Sequence, residues 1–184
     1  LNFYPIDPWI YRSMHVSFGS AIGFMMYRVS KSEQRVGVPW YDWLFGILSV
    51  LCFVYLLIEL DGLLFRTGGA PQTMDVVIGF IGTFLVLELT RRCAGLALPI
   101  ISIVFILYCF VGPWMPGVLH HKGIDFEMLF SFVYSMEGVF GPTTSVSSTY
   151  IILFIVFAAF LQVSKVGDYF INFAFALAGR SRGE

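Results

Sequence analysis

EGVFGPTTSVSSTYIILFIVFAAFLQVSKVGDYFINFAFALAGRSRG, residues Glu137 to Gly183, sets a charge-free Gly/Pro/Ser/Thr break beside stretches apolar enough to sit in lipid. A soluble protein puts charge into such a loop. Interrupted backbone next to lipid-compatible helices is tolerated only where other protein or a water-filled cavity satisfies its polar groups. That order of segments points to a membrane transporter.

Composition places the whole chain in the same class. Hydrophobic residues make up 58% and charged residues 12% of its 184 residues, and the mean hydropathy is +0.81. An average soluble domain has roughly 45–50% apolar and about 25% charged residues. The 20 Phe, 9 Tyr and 4 Trp suit lipid-facing surfaces and the aromatic belts at bilayer interfaces. A net charge of −1 excludes a nucleic-acid binder driven by bulk charge. Cys52, Cys93 and Cys109 fall in apolar segments at no metal-like spacing and read as buried small hydrophobes.

Apolar stretches run from Trp9 to Tyr27, Trp43 to Leu60, Met74 to Leu89 and Leu96 to Val111. Each is near the roughly 17–25 residues that a membrane helix needs. Asp125 to Val139 is shorter, carries Glu127 and Glu137, and reads as a tilted, re-entrant or interfacial helix. Ser147 to Ser164 is a clear span, whereas Tyr169 to Gly179 is short enough for a half-helix. The expected fold is therefore an all-α polytopic membrane protein with about six to seven transmembrane or re-entrant helices.

Basic residues orient these segments. Arg28, Lys31 and Arg35 follow the first span and Arg91 and Arg92 the third, while only Arg66 follows the second and only Lys122 the fourth. The loops around Ser32 and Arg92 are expected in the cytoplasm, and those around Thr67 and Lys122 in the periplasm. With Asp125 to Val139 crossing inward and Ser147 to Ser164 outward, Arg180 and Arg182 return to the cytoplasm, and seven of the 11 basic residues face in. Residue 1 is Leu, and LNFYPIDPW has neither the basic nor the apolar region of a signal peptide. The chain is thus expected to be an internal piece of a longer protein with one further helix before Leu1.

Ionisable residues inside a membrane are candidates for chemistry, because a charge near its centre costs about 2.5–3.5 kcal/mol. Arg12 and His15 share a face at the outer end of the first span and suit interfacial snorkelling or a structural bond to a neighbouring helix. Glu59 and Asp61 close the second span, as helix-end residues or as a site for proton coupling. Glu88 precedes Arg91 and Arg92 by three and four residues, a spacing for an intrahelical, intramembrane charge pair. His120 and His121 are adjacent, which one helix cannot aim at a single metal, so an exposed loop is expected. Gly62, Gly68 and Gly69 are turn glycines without a phosphate-binding lysine pattern, and no cofactor, metal or nucleotide is implied.

The strongest constellation is the break. Gly138 and Gly141 free the backbone, Pro142 forbids a continuing helix, and Thr143, Thr144, Ser145, Ser147, Ser148 and Thr149 supply hydroxyls. Such oxygens suit Na⁺ or carboxylate recognition, and the same run suits a cap for a helix starting near Thr149. Glu137, the one charge beside the break, needs a partner or a cavity. Glu137, Gly138, Gly141, Ser147 and Ser148 are the candidate functional residues.

EGVFG (Glu137–Gly141), VSSTY (Val146–Tyr150), GDYF (Gly167–Phe170) and FALAGRSRG (Phe175–Gly183) resemble successive elements of the permease of TRAP transporters, the tripartite, binding-protein-dependent class. The likeness is greatest to the TAXI type, in which small and large membrane subunits are fused. ELTRRCAGLALPIISIVFILY (Glu88–Tyr108) is similar to the junction between the two parts, and VPWYDW (Val38–Trp43) to the start of the preceding small-subunit region. Pro142-Thr143-Thr144 departs from the family's commoner aliphatic stretch there.

The resemblance implies residues 1–92 as small-subunit-like helices, the first helix missing, and 93–184 as the truncated start of the large permease part. It also implies uptake of organic or amino-acid-like carboxylates driven by an ion gradient, with Na⁺ as the coupling ion of the full-length protein. Expected partners are a periplasmic substrate-binding protein, the remainder of the permease and the lipid bilayer of a bacterial or archaeal cytoplasmic membrane. Substrate and ion ligands are expected beyond Glu184, in a Gly-Ser-Ser hairpin, so residues 1–184 alone are expected to insert without transporting. Small residues such as Gly19, Gly23, Ala158 and Ala159 are expected to support association with the remaining helices. The alternative is a non-transporting membrane scaffold or assembly subunit. A membrane-embedded enzyme would need convergent His, Asp or Glu at one depth, which Arg12, Glu59, Glu88 and Glu137 do not supply.

Overall fold

A computed structural model describes residues 6–27, 29, 38–66 and 69–179, all helix, turn or loop with no strand among them. Arg28, Lys31, Ser32, Arg35, Thr67, Arg180 and Arg182, on which much of the expected orientation rests, lie outside the described residues. The chain divides into two compact units, Leu1–Ser145 and Val146–Glu184.

In the first unit, α1 (Pro8–Met26) starts on Asp7, whose Oδ1 accepts the Trp9 N–H at 2.8 Å, with Pro8 in the first turn where a missing N–H does no harm. Its buried stripe, Trp9, Ser13, Ser17, Ser20, Ala21 and Phe24, repeats at three and four residues and packs on α2 (Trp40–Ile58). Small side chains let the two helices approach. Ser17 Oγ donates to the Ser49 carbonyl at 2.6 Å and Ser49 Oγ returns a bond to the Ser17 carbonyl at 3.2 Å, while Gly46 faces Ala21. Of the small residues expected at helix contacts, Gly23 packs against Leu89, Gly19 meets no atom within 4 Å, and Ala158 and Ala159 are exposed.

The short α3 (Leu60–Arg66) follows α2 across Glu59, and α4 (Thr73–Ala94) opens with a capping box between Gln72 and Asp75. Gly95, at φ 88°, ends α4 in a conformation that a side chain would strain. Next comes α5 (Ala97–Val111), in which only Pro99 is buried, and a loop with two single 3-10 turns, Gly112–Trp114 and Gly117–Leu119.

The segment Asp125 to Val139 is helical only over α6 (Phe126–Val133). Its 8 residues span about 12 Å, too short to cross the roughly 30 Å of a hydrocarbon core. The inward crossing assigned to this segment is therefore not made by α6, which fits the re-entrant or interfacial description. It lies against α4 through two glycines. A Cβ at Gly79 would stand 2.4 Å from the Phe130 carbonyl oxygen, and one at Gly82 would stand 2.2 Å from the Tyr134 ring.

A helical run, Pro142–Val163, comprises α7 (Pro142–Val146), a π turn over Ser147–Ile151 and α8 (Ile152–Val163). The second unit takes in this run from Val146 and, beyond a turn in which Lys165 has φ 54°, α9 (Val166–Gly179). Apolar side chains cover α8 on every side and nearly all are exposed, as on a helix that meets lipid or other helices. Among the described residues, four helices are long and apolar enough to cross a membrane: Trp40–Ile58, Thr73–Ala94, Ala97–Trp114 and Pro142–Val163. The 19-residue α1 has the length, but Arg12, His15 and its serines dilute its hydropathy. An all-α polytopic membrane protein is what these elements make.

Candidate functional site

The break is real, but it lies earlier than the hydroxyl run. Tyr134 to Gly141 forms a tight non-helical turn, and helix resumes at Pro142 instead of near Thr149. Proline has no N–H to satisfy in a first helical turn, so Pro142, which forbids a continuing helix, begins a new one. The Ser145 N–H already donates to the Gly141 carbonyl at 3.0 Å, and Thr144 Oγ1 donates to the Val139 carbonyl. No helix therefore starts near Thr149. Ser147 and Ser148 sit half-buried in the π turn.

The turn consumes its own polar groups. Val139 N–H donates to the Val133 carbonyl at 2.8 Å, Phe140 N–H to the Ser135 carbonyl at 3.0 Å and Gly141 N–H to the Gly138 carbonyl at 3.0 Å. Ser135, 1% exposed, donates through Oγ to the Phe132 carbonyl and accepts the Glu137 N–H. These bonds satisfy backbone that lipid could not. They also fix the glycines: a Cβ at Gly138 would lie 2.0 Å from the Val133 carbonyl oxygen, and one at Gly141 would lie 2.9 Å from that of Gly138. Glu137 is exposed, and its carboxylate has no partner among the described residues.

Arg12 ties this turn to α1. Its Nη1 donates to the Phe140 carbonyl at 2.9 Å and lies 3.9 Å from the Met136 sulfur, while its Nε is buried without a hydrogen-bond partner among the described residues. The Phe140 ring is fully buried between Trp9 and Tyr134, at centroid distances of 6.0 and 4.8 Å. Arg12 is thus a structural bond to another segment of the chain, and His15 lies one turn further along α1, half-buried.

Two ionic clusters mark opposite ends of α4. At its C-terminal end, Glu88 accepts from Arg91 Nε and Nη2 and from Arg92 Nε, each at 2.8 Å. The expected intrahelical pair is only half of this cluster. Arg92 Nη1 also donates to Asp42 Oδ1 at 2.6 Å and to the Tyr27 carbonyl at 3.2 Å, and the guanidinium lies over the Phe24 and Phe45 rings at 5.0 and 5.5 Å. The Arg92 side chain is 0% exposed and that of Asp42 4%. The end of α1, the start of α2 and the end of α4 therefore share one level.

At the other end, buried Asp75 accepts from the Tyr55 hydroxyl at 2.6 Å and the Gln72 N–H at 2.9 Å. Arg66 Nη2 donates to Glu59 at 2.8 Å and to Asp75 Oδ1 at 3.4 Å, and its Nε stands 3.2 Å from Asp75 Oδ2 in an ionic contact. The Glu59 bond and then the Asp75 charge hold the Arg66 guanidinium more firmly protonated. Glu59 is accordingly a paired helix-end residue, and Asp61 is exposed. Beside the cluster, Trp9, Tyr55, Arg66, Asp75, Ser131 and Tyr134 enclose about 10 Å³. That is room for one water and not for a carboxylate substrate.

His120 and His121 part company. His120 is exposed, as expected, whereas the His121 ring is half-buried against Tyr108. No group of three or more metal-ligating side chains occurs among the described residues. Of the three cysteines only Cys52 is buried; Cys109 is half-buried, and Cys93, next to buried Arg92 in the last turn of α4, is exposed.

Long apolar helices, ionic clusters at two helix ends and a turn that satisfies its own polar groups define a multi-pass membrane protein. The family model for the tripartite ATP-independent periplasmic transporter, DctM component, matches residues 81–184, more than half of the chain. The chain belongs to that family. The match starts within α4 and takes in α5, α6, the turn and the second unit. No curated protein and no solved structure matches the chain.

Proposed function

We propose that this chain forms part of a TAXI-type permease in which small- and large-subunit-like helices are fused, residues 1–92 supplying the first and 93–184 the start of the second. The observation that carries the reading is the family match over residues 81–184, in a chain whose helices α1–α3 precede the matched region and share a core with it. The permease takes organic or amino-acid-like carboxylates from a periplasmic binding protein and draws on an Na⁺ gradient. The α4 end bearing Arg91 and Arg92 faces the cytoplasm, which places the Lys122 loop in the periplasm.

Within this reading Glu137, Gly138, Gly141, Ser147 and Ser148 give the turn and π bulge their shape. Glu88 and Arg92 are a structural pair. Uptake of labelled carboxylates into vesicles of the assembled transporter tests the proposal. Uptake should require the cognate binding protein and be suppressed by competing organic acids. Uptake of equal rate without any binding protein would refute it.

A further inference from the structure

The loop between α5 and α6 is exposed and apolar at its tip, yet firmly folded. Trp114, Val118 and Leu119 are 86%, 102% and 56% exposed. A water-facing loop has no use for three such side chains together. Nor can the loop rearrange freely to hide them. Tyr108 Oη donates to the Leu119 carbonyl at 2.8 Å, His121 N–H to the Gly112 carbonyl at 3.3 Å and Ile124 N–H to the Cys109 carbonyl at 3.1 Å, all folding the loop back on the end of α5.

The His121 ring is the peg of this fold. Gly123 N–H donates to Nδ1 at 3.0 Å, which leaves the proton on Nε2, 3.2 Å from the Tyr108 carbonyl oxygen that accepts it. The ring presses on Gly112, where a Cβ would lie only 2.1 Å away. The apolar tip is therefore preformed.

We propose that this loop is an interfacial membrane anchor, with Trp114, Val118 and Leu119 inserted in the headgroup layer of the bilayer that α5 spans. Continuity carries the choice of occupant. The apolar span Ala97–Trp114 ends on Trp114 itself, so the loop starts at the interface. His120 and Lys122 follow the apolar tip directly, and basic residues beside apolar ones suit anionic headgroups. The anchor sets the depth of α5, whose 15 helical residues cover only about 22 Å. The inference stands whether or not the chain transports carboxylates.

The test uses the chain in vesicles of phosphatidylcholine with a minority of phosphatidylglycerol. With Trp9→Phe, Trp40→Phe and Trp43→Phe, Trp114 is the sole indole. Its fluorescence should lose most of its intensity to lipid brominated near the headgroup and less to lipid brominated near the chain ends, and iodide in the water should quench little. Strong iodide quenching with no effect of either brominated lipid overturns the proposal. Protection from iodide only after a periplasmic binding protein is added also overturns it, and assigns the tip to a protein partner.

Trp9 is a core residue whose replacement can unfold the chain, so Val118→Cys in a Cys93→Ser, Cys109→Ser background asks the same question. Cys52 is 1% exposed and stays unlabelled. A nitroxide at 118 should collide more often with oxygen than with a water-soluble nickel chelate, and the opposite ratio refutes the anchor.

Discussion

Replacing Arg92 with Met tests the ionic cluster that joins α1, α2 and α4. The side chain is 0% exposed and bridges Asp42, Glu88 and the Tyr27 carbonyl, so its removal leaves the 4%-exposed Asp42 carboxylate without a counter-charge. Breaking a buried pair from one side costs about 3–5 kcal/mol. Glu88 suffers less, because Arg91 still holds it with two bonds. Asp42→Asn keeps a hydrogen-bond acceptor for Arg92 and should cost about 1–3 kcal/mol. The double change Asp42→Leu with Arg92→Met removes both charges and should recover to within about 1–2 kcal/mol of the parent, since apolar replacement of a whole buried pair is often neutral. Unfolding of the parent, Arg92→Met, Asp42→Leu and the double variant in mixed detergent micelles, followed by helical circular dichroism, closes the cycle. Losses that simply add would show that the Asp42–Arg92 contact carries no coupling and would refute the reasoning.

Other outcomes follow from the same geometry. Gly138→Leu drives a side chain into the Val133 carbonyl and should abolish uptake by the assembled transporter, whereas Ser147→Ala or Ser148→Ala should reduce it less; normal uptake with Leu at 138 would show an ordinary loop. Gly82→Val should push the Tyr134 ring away from α4 and destabilise the fold by about 1–3 kcal/mol, the size of an overpacked core change, read as a lower unfolding midpoint; an unchanged midpoint contradicts the close approach. Arg12→Gln should free the turn and raise thiol labelling of Val139→Cys, while Arg12→Lys restores part of the protection. An impermeant thiol reagent added to cells should label Lys122→Cys and spare the native Cys93, and the reverse pattern would invert the orientation.

Most helices were legible in the sequence because uncharged apolar runs long enough to span lipid leave little choice. The helix limits of α2, α4 and α5 fall close to the stretches read from hydropathy. The break was legible in kind but not in place. Gly, Pro and hydroxyl residues signal an interruption collectively, yet Pro142 also begins helices well, and only packing of Phe140 and Tyr134 decides that the turn ends before it. The Glu88–Arg92 pair was visible as helical spacing. Its third member, Asp42, lies 50 residues away, and its one local signal was a carboxylate in the first turn of an otherwise apolar helix. The seam between Ser17 and Ser49 had no local signal, because serines on a membrane helix read alike whether they face lipid or a neighbour.

The function proposed above requires that an ion gradient drive uptake. Vesicles of the assembled transporter, loaded with ATP-free buffer and supplied with the binding protein and a labelled carboxylate, measure it most directly. An inward Na⁺ gradient should drive accumulation, and collapsing that gradient should stop it. Accumulation that ignores the gradient and appears only on addition of ATP would refute ion-driven uptake.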